Sequence, residues 1–191
     1  MALPVPPVRP LTVAEYAALP EDGEIHYELQ EGILVMSPSS ITDHQRCLRR
    51  LLRELEDQVP GGLEPIPDVD VDLQLVRPAQ PGFVRRPDLV VVTCAAIERV
   101  RWEQGLLRAS DVVLAVEIIS PGSRRMDTVV KHGEYADAGI PHYWVVDFAG
   151  DVTLTAHHLA GEFGYADTAP IVGIFTTADP FPVRLDLGGL V

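Results

Sequence analysis

From Val116 to Asp147 the chain reads VEIISPGSRRMDTVVKHGEYADAGIPHYWVVD. An apolar run ends at Ile119, and Ser120-Pro121-Gly122 break it. A helical segment, SRRMDTVVKHGEYADA, follows and stops at Gly139, a residue suited to the left-handed turn that closes helices. A second apolar run, HYWVVD, completes the stretch. Near-continuous apolar runs belong to strands covered on both faces. The reading is therefore strand, helix, strand. Inside the helix stands Lys131, the only lysine of the chain, against fourteen arginines.

The segments before it extend the same core. DVVLAVEII and PDLVVV read as central strands, and VDVDLQLV alternates strictly, as a strand with one buried face does. ITDHQRCLRRLLRELEDQV repeats apolar residues at helical spacing (Ile41, Leu48, Leu51, Leu52, Leu55, Val59) and ends at PGG. The middle of the chain thus reads helix, three strands, helix, strand: an α/β core with a mixed central sheet. IHYEL and ILVM flank Gln30-Glu31-Gly32 as an N-terminal hairpin. TVAEYAAL opens with a capping box, Thr12 and Glu15. VTLTAHHL, IVGIF and VRLDL read as peripheral C-terminal strands. The organisation expected is a proline-rich arm over residues 1–10 and a single domain over 11–191.

Bulk properties narrow the function. The chain has 191 residues, 47% of them apolar, enough for a real core. Cys47 and Cys94 are too few for a disulfide framework. MALPVPPVRP lacks the pattern of a signal peptide, and no apolar run is long enough for a membrane span. The expectation is a cytoplasmic protein without membrane contact. The net charge of −13 argues against a plain basic nucleic-acid surface. Residues 132–191 hold eight acids and one base, whereas residues 1–131 hold 20 acids and 14 bases. A phosphate-facing surface therefore belongs in the first two-thirds.

Three acids stand where acids are costly. Asp88 opens DLVVV, Glu117 lies late in VLAVEII, and Glu28 lies in the hairpin. Such carboxylates must be paired, protonated or bound to a cation. If the strands bearing Asp88 and Glu117 are antiparallel, both carboxylates meet at one sheet end, and a divalent ion between them relieves their repulsion. Oxygen ligands favour Mg²⁺ or Mn²⁺. A structural alternative stands beside this: Asp88 capping a turn and Glu117 paired with Arg124 or Arg125.

Lys131 also admits two readings. It forms a helix-surface pair with Asp127, four residues earlier, or it supplies a compact charge that arginine cannot replace. His44, near a helix start, reads as a surface group or as support for a site. His157 and His158 point to opposite faces of a strand. Arg46 and Arg49 in the long helix, with Arg124 and Arg125, are candidates for phosphate contact or a solvated face.

Pro87-Asp88, an acid late in the next strand and a following lysine resemble the PD-(D/E)XK nuclease superfamily. In detail, YELQEGILVMSPS with HQR, RRPDLVVV, and the stretch from Val116 to Asp147 are similar to the Uma-type "putative restriction endonuclease" family over about residues 11–185. The resemblance implies a restriction-endonuclease-like fold and metal-dependent hydrolysis of DNA. It implies metal at Asp88 and Glu117, completed by Glu28, with Lys131 acting on the phosphate or the attacking water. Tyr135, Asp127 and His44 would support them. Two departures stand out. Ile119 occupies the superfamily's lysine position, which moves that role to the helix, and Gly122-Ser123 replace Ser-Thr. A homodimer is expected, since cutting both strands needs two sites. The competing classes are a catalytically inactive binding module, which the acidic charge favours, and a carboxylate-pair hydrolase of small substrates, which gives Lys131 no task.

Overall fold

The structure, a computed structural model, describes residues 9–20, 26–36, 41–120, 123–166 and 168–191. The proline-rich arm, Arg9 and Pro10 apart, lies outside the described residues, as does Gly122.

The first half of the chain forms α1 (Val13–Ala17), β1 (Tyr27–Gln30), β2 (Ile33–Met36), α2 (Thr42–Glu56), β3 (Leu63–Pro67), β4 (Val71–Asp72), β5 (Val84–Arg85) and β6 (Leu89–Thr93). Then come α3 (Cys94–Glu103), β7 (Leu107–Arg108), β8 (Val112–Ile119), α4 (His132–Asp137) and β9 (His142–Asp147). The chain closes with β10 (Thr153–His158), β11 (Ile171–Val172), β12 (Ile174–Thr177) and β13 (Val183–Asp186). A π-helical segment, Met126–Lys131, runs directly into α4.

The main sheet has six strands in the order β11-β10-β9-β8-β6-β3. Only β8 and β9 are parallel within it, and α4 with its π segment is their crossover, as a parallel pair requires. The other pairs are antiparallel, with Leu89 facing Val116 in the β6–β8 ladder. Alternation sends Leu89, Val91, Leu114, Val116 and Ile118 into a core with α2 and the β12–β13 hairpin. Val90, Val92, Ala115 and Ile119 enter a second core with Tyr135, Tyr143 and α3's Ala96.

A second sheet, β2-β1-β5-β4-β7, carries the N-terminal hairpin. Its turn needs Gly32. The residue has φ +77°, and a Cβ there would lie 2.6 Å from the Pro10 Cβ. Leu11 N–H bonds the Gly32 carbonyl at 2.7 Å, tying α1's approach to this turn.

IVGIF divides into β11 and β12, α3 stands where the sequence reading has no helix, and two segments before β6 depart from that reading. VDVDLQLV contributes only Val71–Asp72 as strand, in the second sheet. Asp72 Oδ1 accepts the Gln74 N–H at 2.9 Å and Gln74 takes φ +55°, so a side-chain turn ends the strand. The third strand on this side of the main sheet is instead β3, whose Pro65 and Pro67 argue against a strand. An edge position admits them, because proline's missing N–H is lost only toward solvent.

Candidate active site

The β6–β8 register brings Asp88 and Glu117 together. One step beyond the Leu89–Val116 pair they lie on facing strands. Asp88 Oδ2 accepts the Ile118 N–H at 2.7 Å. The antiparallel condition set by the sequence is thus met.

Lys131 reaches this point from the crossover helix. Its Nζ lies 2.9 Å from Glu117 Oε1, 3.0 Å from Glu28 Oε1 and 3.8 Å from Asp127 Oδ1. Tyr135 OH, one turn later, donates to the same Glu117 oxygen at 2.8 Å. Tyr143 OH from β9 holds the Asp127 carbonyl at 2.7 Å. Lys131 and Asp127 both lie in the π segment, a form frequent at functional sites.

The solvated Lys131–Asp127 pair is therefore corrected: the residues are 6% and 3% exposed. Glu117 is paired with Lys131 rather than with Arg124 or Arg125. Arg124 bonds Asp147 at 2.6 Å, and both arginines are exposed. His44 is no surface group; it is 5% exposed, with Nε2 3.1 Å from Asp88 Oδ2. Arg46 pairs with Asp43 at 3.4 Å on the exposed face of α2, where Arg49 also lies.

Sequence reasoning missed Arg85 and Glu134. Arg85, fully buried, donates Nη1 to Glu28 Oε2 at 2.9 Å and grips Glu134 through Nε and Nη2 at 2.6 and 2.7 Å. The Arg86 N–H adds a bond to Glu28 Oε1 at 3.0 Å. The signal was the Arg85-Arg86 doublet: in extended chain one of two neighbours must face inward. Arg86 turns the other way, to Asp70 at 2.8 Å. There it lines a pocket of about 460 Å³ with Tyr16 and Tyr27, to which Asp88, Glu117 and Lys131 do not contribute.

All six buried polar residues among the described ones gather here: Glu28, Arg85, Glu117, Asp127 and Lys131 form one network, and His44 bonds Asp88 beside it. Its carboxylates outnumber its cations. Burial pushes the Glu117 carboxyl well above the ordinary range; Lys131 opposes this, while Asp88, Asp127 and Glu28 add to it. Burial likewise raises Asp127, against Lys131. For Lys131 burial works downward, but Glu117, Glu28 and Asp127 outweigh it and hold the amine protonated. Burial would raise Glu28 too, yet Lys131, Arg85 and the Arg86 amide keep it low. His44 is raised, since Asp88 outweighs the opposing effect of burial.

Among the described residues no three His, Cys, Asp or Glu side chains form a complete metal cage. Mg²⁺ does not need one: it binds through one or two carboxylates and keeps waters or substrate phosphate as its other ligands. Asp88 and Glu117 fit that demand. Hydrogen bonds to each fall on one oxygen, Oδ2 of Asp88 and Oε1 of Glu117; Asp88 Oδ1 and Glu117 Oε2 receive none among the described residues. Glu28, in contrast, has both oxygens engaged by protein donors.

The model of the Uma2 family, described as "Putative restriction endonuclease", matches residues 13–171. The chain belongs to the Uma2 family. In fold, this Uma2 chain is similar to the crystal structure of a putative nuclease belonging to DUF820 from Anabaena variabilis ATCC 29413. The TM-score is 0.67 at 16% identity, over 95% of this chain and 97% of that one. No curated protein matches this Uma2 chain. Among its described residues no helix is long and apolar enough to cross a membrane.

Proposed function

We propose that this Uma2 protein is a metal-dependent endonuclease that hydrolyses phosphodiester bonds in DNA. The observation that carries the reading is the half-buried Asp88 beside the buried Glu117–Lys131 pair, with one oxygen of each carboxylate left free of donors among the described residues. Asp88 and Glu117 would hold Mg²⁺ or Mn²⁺. A divalent ion there supplies an activated water and counter-charge for the scissile phosphate. Lys131 stays an ammonium, so its part is to place compact positive charge beside the phosphate and donate to it. Glu28, with Arg85 and Glu134 behind it, aims that ammonium; Tyr135 fixes Glu117 from the other side. Arg46, Arg49, Arg124 and Arg125 are exposed and would take backbone phosphates, Arg46 and Arg124 in exchange for their partners Asp43 and Asp147.

Two free cysteines accord with a reducing cytoplasm. Duplex cutting calls for two sites, and a C2 homodimer supplies them. The net charge of −13 favours a second reading, a retained fold that binds without cutting. Metal binding tests the site itself. Mn²⁺ should raise the melting temperature of the wild type, because a ligand bound only by the native state stabilises it. Asp88→Ala and Glu117→Ala should each remove the rise. An equal rise in all three proteins would reject this site.

A further inference from the structure

His44 lies in the first turn of α2 and is buried, yet neither side of its ring serves the apolar core chemically. Its Nε2 stands 3.1 Å from Asp88 Oδ2. A carboxylate oxygen can only accept, so Nε2 carries the shared proton. The Ile118 N–H donates to that same oxygen at 2.7 Å. Both donors therefore converge on Oδ2, and Oδ1 receives no hydrogen bond among the described residues. The other ring nitrogen, Nδ1, is buried with no hydrogen-bond partner among the described residues. An unpaired buried polar atom is unfavourable, and a leucine would fill the same space without one. The imidazole is thus poorly explained by packing and well explained by its grip on Asp88.

We infer that His44 is the positioning residue of Asp88: it pins Oδ2, fixes the carboxylate's orientation and leaves Oδ1 as the oxygen that faces a divalent cation. This rests on the assignment of Asp88 as a metal-holding carboxylate. Hydrogen-bond partners that orient a ligand typically change metal affinity by ~10–100-fold when removed. The Asp88 side chain is 22% exposed, so water can replace the lost bond, but water does not hold the orientation.

The test uses the full chain and Mn²⁺ alone, titrated calorimetrically into wild type, His44→Leu, His44→Gln and Asp88→Ala, with a metal-free melt of each. His44→Leu should bind Mn²⁺ ~10–100-fold more weakly while melting at the wild-type temperature or above it. His44→Gln, whose amide N–H can take the place of Nε2–H, should recover most of the affinity. In an Asp88→Ala background, His44→Leu should have no further effect. Wild-type affinity in His44→Leu would overturn the inference and leave the metal site standing. So would a failure of His44→Leu to fold together with weak binding by a normally melting His44→Gln. Absence of Mn²⁺ binding by the wild type would instead overturn the metal reading of Asp88, and this inference with it.

Discussion

Lys131 shows why a chain rich in arginine keeps one lysine. Two properties separate lysine from arginine here: compactness, and a pKa that can fall. The second is set aside by the surroundings, because Glu117, Glu28 and Asp127 drive the amine toward stronger protonation. Compactness remains. The ammonium sits within 3.0 Å of two carboxylates while 6% exposed, so the larger, planar guanidinium would have to displace packed neighbours. Lys131→Arg should therefore fold, at a loss of about 1–3 kcal/mol for overpacking. It should keep its Mn²⁺-dependent rise in melting temperature and lose ~10²–10³ in cleavage rate, the usual effect of removing one preorganised charged donor. Plasmid nicking well below both melting temperatures measures it, and near-wild-type nicking would assign Lys131 to structure alone.

Among the elements, the β1–β2 hairpin depends on the site for its anchorage. Glu28 on β1 joins it to Arg85, Lys131 and the Arg86 amide, and these partners hold its pKa below the ordinary carboxylate value. A depressed folded-state pKa contributes stability that is present above the unfolded value, here 4.5, and is lost as pH falls through the folded one. Glu28→Gln should thus be less stable than the wild type at neutral pH, with a flatter decline on acidification. Melting temperature against pH for both proteins checks this; parallel curves would contradict it. The strand–helix–strand unit was legible because long apolar runs and a helix ended by Gly139 leave little choice. The meeting of Asp88 with Glu117 was legible only on the condition that their strands pair antiparallel, which the β6–β8 ladder meets. The edge strand β3 was hidden by Pro65 and Pro67, since no local signal says whether a proline faces solvent. Helix α3 had a signal: Thr93 accepts the Ala96 N–H at 3.2 Å as its cap, ahead of an alanine pair. The Arg85–Glu134 grip joins residues 49 apart: the Arg85-Arg86 doublet signals an inward arginine, but nothing local names its partner.

At the scale of the whole molecule, every buried polar residue among the described ones gathers at one end of the β6–β8 pair, while the apolar ones build the cores around it. Buried charge carries a desolvation cost, so its gathering at one place, rather than its scatter through the cores, is what supports the proposed site. A protein that cuts both strands of a duplex should associate in pairs; light scattering at micromolar concentration should give twice the mass of the chain, and a monomer mass would refute the pairing. The central claim meets its most direct test in supercoiled plasmid incubated with Mg²⁺ or Mn²⁺ and the wild type, Asp88→Ala or Glu117→Ala. The account predicts metal-dependent conversion to nicked or linear DNA by the wild type, and none by either variant. An intact plasmid with the wild type, or equal cutting by all three proteins, would contradict it.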